Sequence, residues 1–164
     1  MSITLIVAMD RNRVIGKQDH IPWHLATDMD HFKKTTKNHT VVMGRKTYKS
    51  IPRKFKPLPN RVNVVLTSDP SFDAPGCIVV HSIENILRIS VDKELFVMGG
   101  GEIYRLLLPY ANRLIVTRVE TMIRDGDTFF PQIEGRWKSR LLFRHETVDE
   151  QNDFPFSVIE YTKQ

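Results

Sequence analysis

The sequence predicts an α/β fold: a central, mostly parallel sheet with an antiparallel edge toward its C-terminal side. Three observations predict it. Five short apolar runs, nearly unbroken and rich in β-branched residues, fill the first two thirds of the chain. Segments of helical spacing separate several of them. The last third has further apolar runs with no helix between them. Strands that are apolar along both faces belong to parallel sheets covered by helices, whereas strands joined without a crossover helix pair antiparallel.

The elements follow in order. Ile3-Thr4-Leu5-Ile6-Val7-Ala8-Met9 is the first strand. Thr27 is positioned to cap a helix running to about Asn38, with Met29, Phe32 and Thr36 along one face. Thr40-Val41-Val42-Met43 is the next strand. A short helix then follows Gly44 and stops before Pro52, because the residue ahead of proline avoids helical geometry. Strands are expected at Val62 to Leu66 and at Cys77 to Val80, and Ser82 caps a helix from about Ile83 to Ile89. Leu95-Phe96-Val97-Met98 leads through a glycine run into a helix that stops near Pro109, with Ile103, Leu106 and Leu107 buried. Leu114 to Thr117, Arg140 to Thr147 and Phe156 to Tyr161 are strands, the last two an antiparallel pair at one edge.

Composition narrows the function. A chain of 164 residues, 41% hydrophobic and 26% charged, suits one globular domain spanning 1–164. No apolar run approaches the ~20 residues of a membrane helix, so no membrane partner is expected. The start, Met1-Ser2-Ile3-Thr4-Leu5, lacks the basic segment of a secretory signal. Cys77 is the only cysteine, which excludes an intrachain disulfide and a cysteine-rich zinc site and fits a reducing cytoplasm. His20, His24, His31, His39 and His145 form no metal-ligand pattern, so no metal is expected. The net charge of +5 favours an anionic partner, either nucleic acid or a small phosphorylated or carboxylated ligand. Nucleic-acid binding calls for a basic stripe with interleaved aromatics. Here the basic residues are scattered and the best-placed ones sit at strand ends, which favours the small ligand.

Ligands of open α/β sheets bind beyond the carboxyl ends of the strands. Met43-Gly44-Arg45-Lys46-Thr47 is one such end, where glycine permits a sharp turn into a helix whose free N–H groups attract phosphate. The alternative is a plain helix start with solvated basic residues. Met98-Gly99-Gly100-Gly101-Glu102 is another, with three glycines that let a ligand approach the backbone, or else form only a tight turn. It is not a GxGxxG fingerprint. Leu66-Thr67-Ser68 offers two hydroxyls that serve either a phosphate or a turn. In Ile21-Pro22-Trp23-His24-Leu25-Ala26-Thr27-Asp28-Met29-Asp30-His31-Phe32, Asp28 falls in a first helical turn among Trp23, Leu25, Met29 and Phe32. It is either a simple helix-start carboxylate or the partner of a cationic or amidine-like ligand in a greasy cleft. Asp30 points away from that cleft.

These segments together resemble the dihydrofolate reductase family. The resemblance rests on Ala8-Met9-Asp10 with Val14-Ile15-Gly16, Ile21-Pro22-Trp23 with Asp28, Met43 to Thr47, Ser50-Ile51, Leu58-Pro59-Asn60-Arg61, Gly99 to Tyr104, and Gly126-Asp127-Thr128-Phe129-Phe130-Pro131. It covers nearly the whole chain in the family's order. It implies an eight-stranded sheet with four helices, a monomer, NADPH as hydride donor and dihydrofolate, in some cases polyglutamylated, as substrate. The implied chemistry is hydride transfer from nicotinamide C4 to pterin C6, with water protonating N5.

The resemblance also implies roles. Asp28 accepts hydrogen bonds from the pterin 2-amino group and adjacent ring nitrogen, and Thr117 bonds Asp28 or that amino group through water. Ile21 and Trp23 complete the catalytic set. Ile6, Val7, Ala8, Met29, Phe32, Ile51, Leu58, Met98 and Tyr104 line the substrate pocket, and Arg61 takes the tail α-carboxylate. On the cofactor side, Arg45, Thr67, Ser68 and, less directly, His81 hold the 2′-phosphate. Gly44, Lys46, Thr47 and Leu66 flank that site. Gly99-Gly100 carries a cis peptide, and Gly100, Gly101, Glu102 and Ile103 meet the pyrophosphate. Ala8, Val14, Met98 and Tyr104 border the nicotinamide. Ile15, Gly16, Lys17, Gln18, Asp19, His20 and Ile21 belong to a mobile loop, reaching to Trp23, that closes over the cofactor. Gly126-Asp127 partners the loop, and Asp153 serves a third loop there.

Two expectations stand apart. Burial among apolar groups should make Asp28 resist ionisation. The link Pro52-Arg53-Lys54-Phe55-Lys56-Pro57 is longer than the family's and basic, hence either a tolerated surface insertion or an aid to polyglutamylated substrates. A reductase of riboflavin biosynthesis, which shares the fold, is the rival reading; the Pro22-Trp23 to Asp28 spacing and Arg61 argue against it.

Overall fold

The computed structural model describes residues 2–164. Its strands are β1 (Ser2–Met9), β2 (Val14–Gly16), β3 (Thr40–Gly44), β4 (Val62–Leu66), β5 (Ile78–Val80), β6 (Glu94–Val97), β7 (Arg113–Val119), β8 (Thr128–Phe129), β9 (Trp137–His145) and β10 (Phe156–Lys163). The helices are α1 (Ala26–Thr36), α2 (Arg45–Ser50), α3 (Ile83–Asp92) and α4 (Gly101–Leu107). Short 3₁₀ turns cover Arg53–Phe55 and Leu108–Tyr110.

Eight strands form one sheet in the order β5-β4-β3-β6-β1-β7-β10-β9. Neighbours from β5 to β7 are parallel, and β10 runs antiparallel to both β7 and β9. The expected parallel sheet with an antiparallel edge is therefore present, with four helices. None of them is long and apolar enough to cross a membrane.

The pleat divides the core in two. Ile3, Leu5, Val7 and Met9 of β1 join Ile103, Tyr104, Leu107 and Phe130 on one face. Ile6 joins Leu25, Val41, Met43, Tyr48, Phe96 and Phe156 on the other.

Three local details differ from the sequence reading. The helix expected to start at a Thr27 cap begins at Ala26, with Leu25 in the cap position and no side-chain cap bond. Thr27 lies inside it, because its own N–H is taken by Asn152 Oδ1 at 3.1 Å. The helix ends at Thr36 rather than Asn38: Thr36 Oγ1 donates back to Phe32 O at 2.8 Å and Asn38 takes a φ of +65°. The third detail is a two-stranded ladder, β2 with β8, that the apolar runs do not signal.

Other local expectations hold. Ser82 Oγ accepts from Asn85 N at 3.2 Å and starts α3, which runs on to Asp92. Ile103 and Leu107 are buried in α4, while Leu106 is half-buried.

Candidate active site

The carboxyl ends of β1, β3, β4 and β6 open toward one region, bordered by the first turn of α1 and the starts of α2 and α4. Asp28, in the first turn of α1, is largely buried there. Thr117 Oγ1, from β7, donates to Asp28 Oδ1 at 2.6 Å. Loss of solvent pushes the Asp28 carboxyl up to about 6, while the Thr117 hydrogen bond pulls the other way. Asp30 is exposed and paired with Lys34 at 2.8 Å, as its position on the far side of the helix predicts.

The face of the sheet next to α1 is apolar. Ile6, Ala8, Trp23, Phe32, Ile51, Leu58 and Met98 all belong to one cluster on the α1 face of the sheet. Ile21 and Met29 are the exposed members of the expected set, at 69% and 59%. Val7 and Tyr104 stand differently. Their side chains lie in the cluster on the opposite face, since Val7 alternates with Ile6 along β1. The Tyr104 hydroxyl is buried and donates to Ile6 O at 2.7 Å, so it braces the strand end. Burial raises its pKa.

Arg61 is held at the outer end of this region. Its Nε donates to Pro59 O at 2.9 Å, its Nη1 donates to Thr36 Oγ1 at 3.2 Å, and its Cζ lies 5.9 Å from the Phe32 ring centroid. Among the described residues it has no carboxylate partner within 4.0 Å, which leaves a fixed, uncompensated guanidinium.

The glycine-rich strand ends meet each other. Gly44 N donates to Gly99 O at 2.8 Å, joining the ends of β3 and β6. A Cβ at Gly44 would come 2.7 Å from Ile103 Cγ1, so only glycine lets α2 and α4 start this close together. Gly99 has a φ of +116°, and the Gly99–Gly100 peptide is cis, as the resemblance implied. At Gly100 a Cβ would lie 3.5 Å from Thr47 Oγ1, and at Gly101 one would lie 3.0 Å from Thr128 Cγ2. Backbone therefore lines this hollow. Glu102 turns its side chain to Arg105 at 2.5 Å and offers the hollow only its main chain.

Beyond it, the ends of β4 and β5 gather polar groups. Leu66 and Thr67 are buried and Ser68 is exposed. His81 Nδ1 lies 2.8 Å from Thr67 O. Arg45 Nη1 is 4.0 Å from Asp69 Oδ2, a carboxylate the sequence reading did not single out. Lys46 is exposed beside Arg45.

The segment expected to be a mobile loop carries a hydrogen-bonded turn at its tip. Lys17 and His20 exchange backbone hydrogen bonds of 2.9 and 3.0 Å around Gln18 and Asp19, both at positive φ. Asp127 holds the tip: its Oδ2 accepts from Gln18 N at 2.8 Å and its N–H donates to Gly16 O at 3.1 Å. Val14, Ile15 and Gly16 lie in or beside the β2–β8 ladder. At the other end, Asp153 Oδ2 accepts from His24 N at 2.7 Å, and Asp153 N donates to His24 O at 2.9 Å. Asp127 is thus in contact with the loop, and Asp153 holds His24, the residue that directly follows it.

Asp10 was quoted only as part of a motif, yet it is a buried organiser. Its Oδ1 accepts from Asn12 N and Val14 N at 2.8 Å each, and its Oδ2 from Ile123 N at 2.8 Å. A lone acid after an apolar strand signals such a turn in sequence, but not the partner from residue 123.

Comparison with known proteins agrees with this geometry. The family model for dihydrofolate reductase matches residues 2–163. A dihydrofolate reductase of Bacillus subtilis is 44% identical over 163 residues, covering 98% of this chain and 94% of that one. One from Staphylococcus aureus is 46% identical over 160 residues, covering 97% and 96%. Among solved structures, dihydrofolate reductase from Enterococcus faecalis complexed with NADP(H) and RAB-propyl superposes with a TM-score of 0.89 at 35% identity, covering 99% of this chain and 96% of that one. An eight-stranded sheet in this order, a half-buried acid beside glycine-lined strand ends and a match along almost the entire sequence lead to one assignment: the chain belongs to the dihydrofolate reductase family.

Proposed function

We propose that this chain reduces 7,8-dihydrofolate to 5,6,7,8-tetrahydrofolate with NADPH, by hydride delivery to pterin C6 and protonation of N5 from water. The observation that carries the reading is the largely buried Asp28 carboxylate, bonded to Thr117 at 2.6 Å on the side of the sheet that holds the apolar cluster of Ile6, Phe32 and Met98. A single acid there matches an amidine-like ring edge, from which it accepts two hydrogen bonds.

NADPH, when bound, supplies the hydride. The glycine-rich strand ends suit that group: the absence of side chains at Gly44, Gly99 and Gly101 lets the starts of α2 and α4 pack against Ile103, Tyr104 and Thr128, and Gly100 adds bare main chain between them. Arg45, Thr67, Ser68 and His81 offer cationic and hydrogen-bonding groups for a 2′-phosphate, which favours NADPH over NADH. Thr47 and the main chain at Gly100 to Ile103 border the pyrophosphate.

The protein's own contribution is orientation, charge and exclusion of water. Thr117 takes one lone pair of Asp28 Oδ1 and fixes the carboxylate plane, leaving Oδ2 and the second lone pair of Oδ1 for the two pterin hydrogen bonds. The ionised form draws positive charge onto the ring and so raises the basicity of N5. Ile6, Ala8, Phe32, Ile51, Leu58 and Met98 bury the two ring systems, and Arg61 takes the tail α-carboxylate. The loop from Ile15 to Trp23, pinned by Asp127 and Asp153, limits bulk water around the reacting carbon. The direct test is loss of NADPH absorbance on adding dihydrofolate, repeated with NADH. Rapid oxidation of NADPH and slow oxidation of NADH are expected; no oxidation of either rejects the reading.

Polyglutamylated substrates are a finer part of the same reading. Arg53 and Lys54 are exposed on the segment ahead of Leu58 and have no carboxylate partner among the described residues. Lys56 is engaged instead, its Nζ 4.5 Å from the Tyr48 ring centroid. Neutralising Arg53, Lys54 and Lys56 to Gln should raise KM for a pentaglutamate severalfold and leave the monoglutamate nearly unchanged. Equal losses for both would eliminate this role.

A further inference from the structure

The first turn of α1 is closed from 125 residues away. Thr27 N–H donates to Asn152 Oδ1 at 3.1 Å, and Ala26 N–H donates to Gln151 O at 2.8 Å. Leu25, in the cap position, has no side chain able to do this, and it forms a bridge with Asn152 instead. Asn152 is 3% exposed. It is itself held by Asp149, whose Oδ1 accepts from its backbone N–H at 2.9 Å and from its carboxamide nitrogen at 3.4 Å. That orients the carboxamide so that its oxygen meets α1.

Asp28 is the next residue along the helix. Its carboxylate is fixed by Thr117, and Thr117 pairs in register with Val158 of β10, the strand that follows the Asn152 loop. One element, the loop and β10, thus supports Asp28 from two directions, through the β7 strand that carries Thr117 and through the helix turn.

We propose that Asn152 is a positioning residue for the substrate-binding carboxylate: by capping α1 in place of a local side chain, it holds Asp28 where Thr117 and the pterin edge can both reach it. The inference rests on the reading of Asp28 given above. Asn152 is not among the residues assigned to either ligand, and its side chain bonds only Thr27 and Asp149.

The titratable groups flanking the turn are few. On α1, Asp30 pairs with Lys34 and the His31 ring meets Phe143. From the loop and β9 come Asp149, Asp153 and His145, with His24 ahead of the helix. Among the described residues, Thr117 is the one side chain bonded to Asp28.

The test is Asn152→Ala, read in two ways: steady-state kinetics with dihydrofolate and NADPH, and titration of the Asp28 carboxyl carbon by NMR in the ligand-free protein. Loss of the cap should lower kcat/KM by roughly 10- to 100-fold, the scale of a small misplacement at a reacting centre. It should also move the Asp28 midpoint down toward the ordinary carboxylate range, as water reaches a frayed turn. The exchanged pair Asn152→Asp with Asp149→Asn keeps the acceptor oxygen for Thr27 N–H and a donor–acceptor contact between the two side chains, and should recover most of the activity. A lower Tm with unchanged kcat/KM and an unchanged Asp28 midpoint would overturn the inference, leaving Asn152 a stabilising contact only. If Asn152→Ala does not fold, Asp149→Ala, at an exposed position, should move the midpoint in the same direction; an unmoved midpoint there overturns it equally. Failure of the substrate reading looks different: the unaltered protein would not turn over dihydrofolate, while Asn152→Ala would still shift Asp28.

Discussion

The two sides of the proposed site, one read as the cofactor wall and the other as the substrate wall, are built in opposite ways. The cofactor wall is made of turns contiguous in sequence, Met43-Gly44-Arg45, Leu66-Thr67-Ser68 and Met98 to Gly101, each a strand end passing directly into the next segment. The substrate wall is assembled from distant parts: α1 is capped by Asn152, Asp28 is held by Thr117, and the covering loop is pinned by Asp127 and Asp153. The contrast teaches where each wall is vulnerable. Damage to the first should be local and specific to the cofactor, whereas the second should respond to substitutions far from any ligand.

The sharpest way to break that contrast is Asp28→Asn. Turnover at pH 7 should fall by roughly 10²- to 10³-fold, the scale seen when one transition-state electrostatic partner is removed. It should recover partly in acid, where substrate arrives already protonated; a pH–rate profile checks this, and near-normal turnover at pH 7 would remove Asp28 from its role. The same variant tests the cost of burial. The folded-state pKa is raised from 3.8 to about 6, so the carboxylate destabilises the fold above about pH 6 and ceases to do so as pH falls toward 4. Asp28→Asn should therefore be more stable at pH 7 by up to about 3 kcal/mol, taking one pKa unit as about 1.4 kcal/mol. The gain should fade toward pH 4, as thermal unfolding at the two pH values would reveal.

Arg45→Gln probes the contiguous wall. KM for NADPH should rise by about tenfold, the order of one charge-assisted bond, while KM for NADH and dihydrofolate should stay nearly constant. A parallel rise with NADH would mean that Arg45 acts on the fold and not on the 2′-phosphate. The smallest effects belong to the loop anchors. Asp127→Ala removes the acceptor for Gln18 N–H and a 3.0 Å bond from Thr128, whereas Asp153→Ala removes only that for His24 N–H. Single-turnover reduction should slow about three- to tenfold in the first and less in the second. The reverse order would shift the weight of loop control to the 149–153 segment.

The sheet and helices were legible in the sequence because unbroken β-branched runs and helical spacing are local signals. The cofactor wall was legible for the same reason, since a glycine between a strand and a helix announces its turn. Asp28 stood out by its helix-start position among apolar residues, with two readings open until the family resemblance favoured one, while Arg61 was pointed to by the resemblance alone. What stayed hidden depends on separation along the chain. Two- and three-residue strands such as β8 and β2 have no periodicity to read. Thr27 looked like a cap by residue type, but the bridge between Leu25 and Asn152 moves the helix start and makes Thr27 the capped residue. Val7 was assigned to the substrate pocket, and the alternation of β1 turns its side chain to the other face.

The remote closure of α1 also bears on how the molecule comes into being. Asp28 leaves the ribosome long before residues 149–163, so a growing chain can form its parallel strands while the acid still sits on an open helix end. On the proposed reading of Asp28, its grip on a pterin is completed only when the final hairpin docks. A partly made copy would then carry the turns proposed for the cofactor without the means to use them.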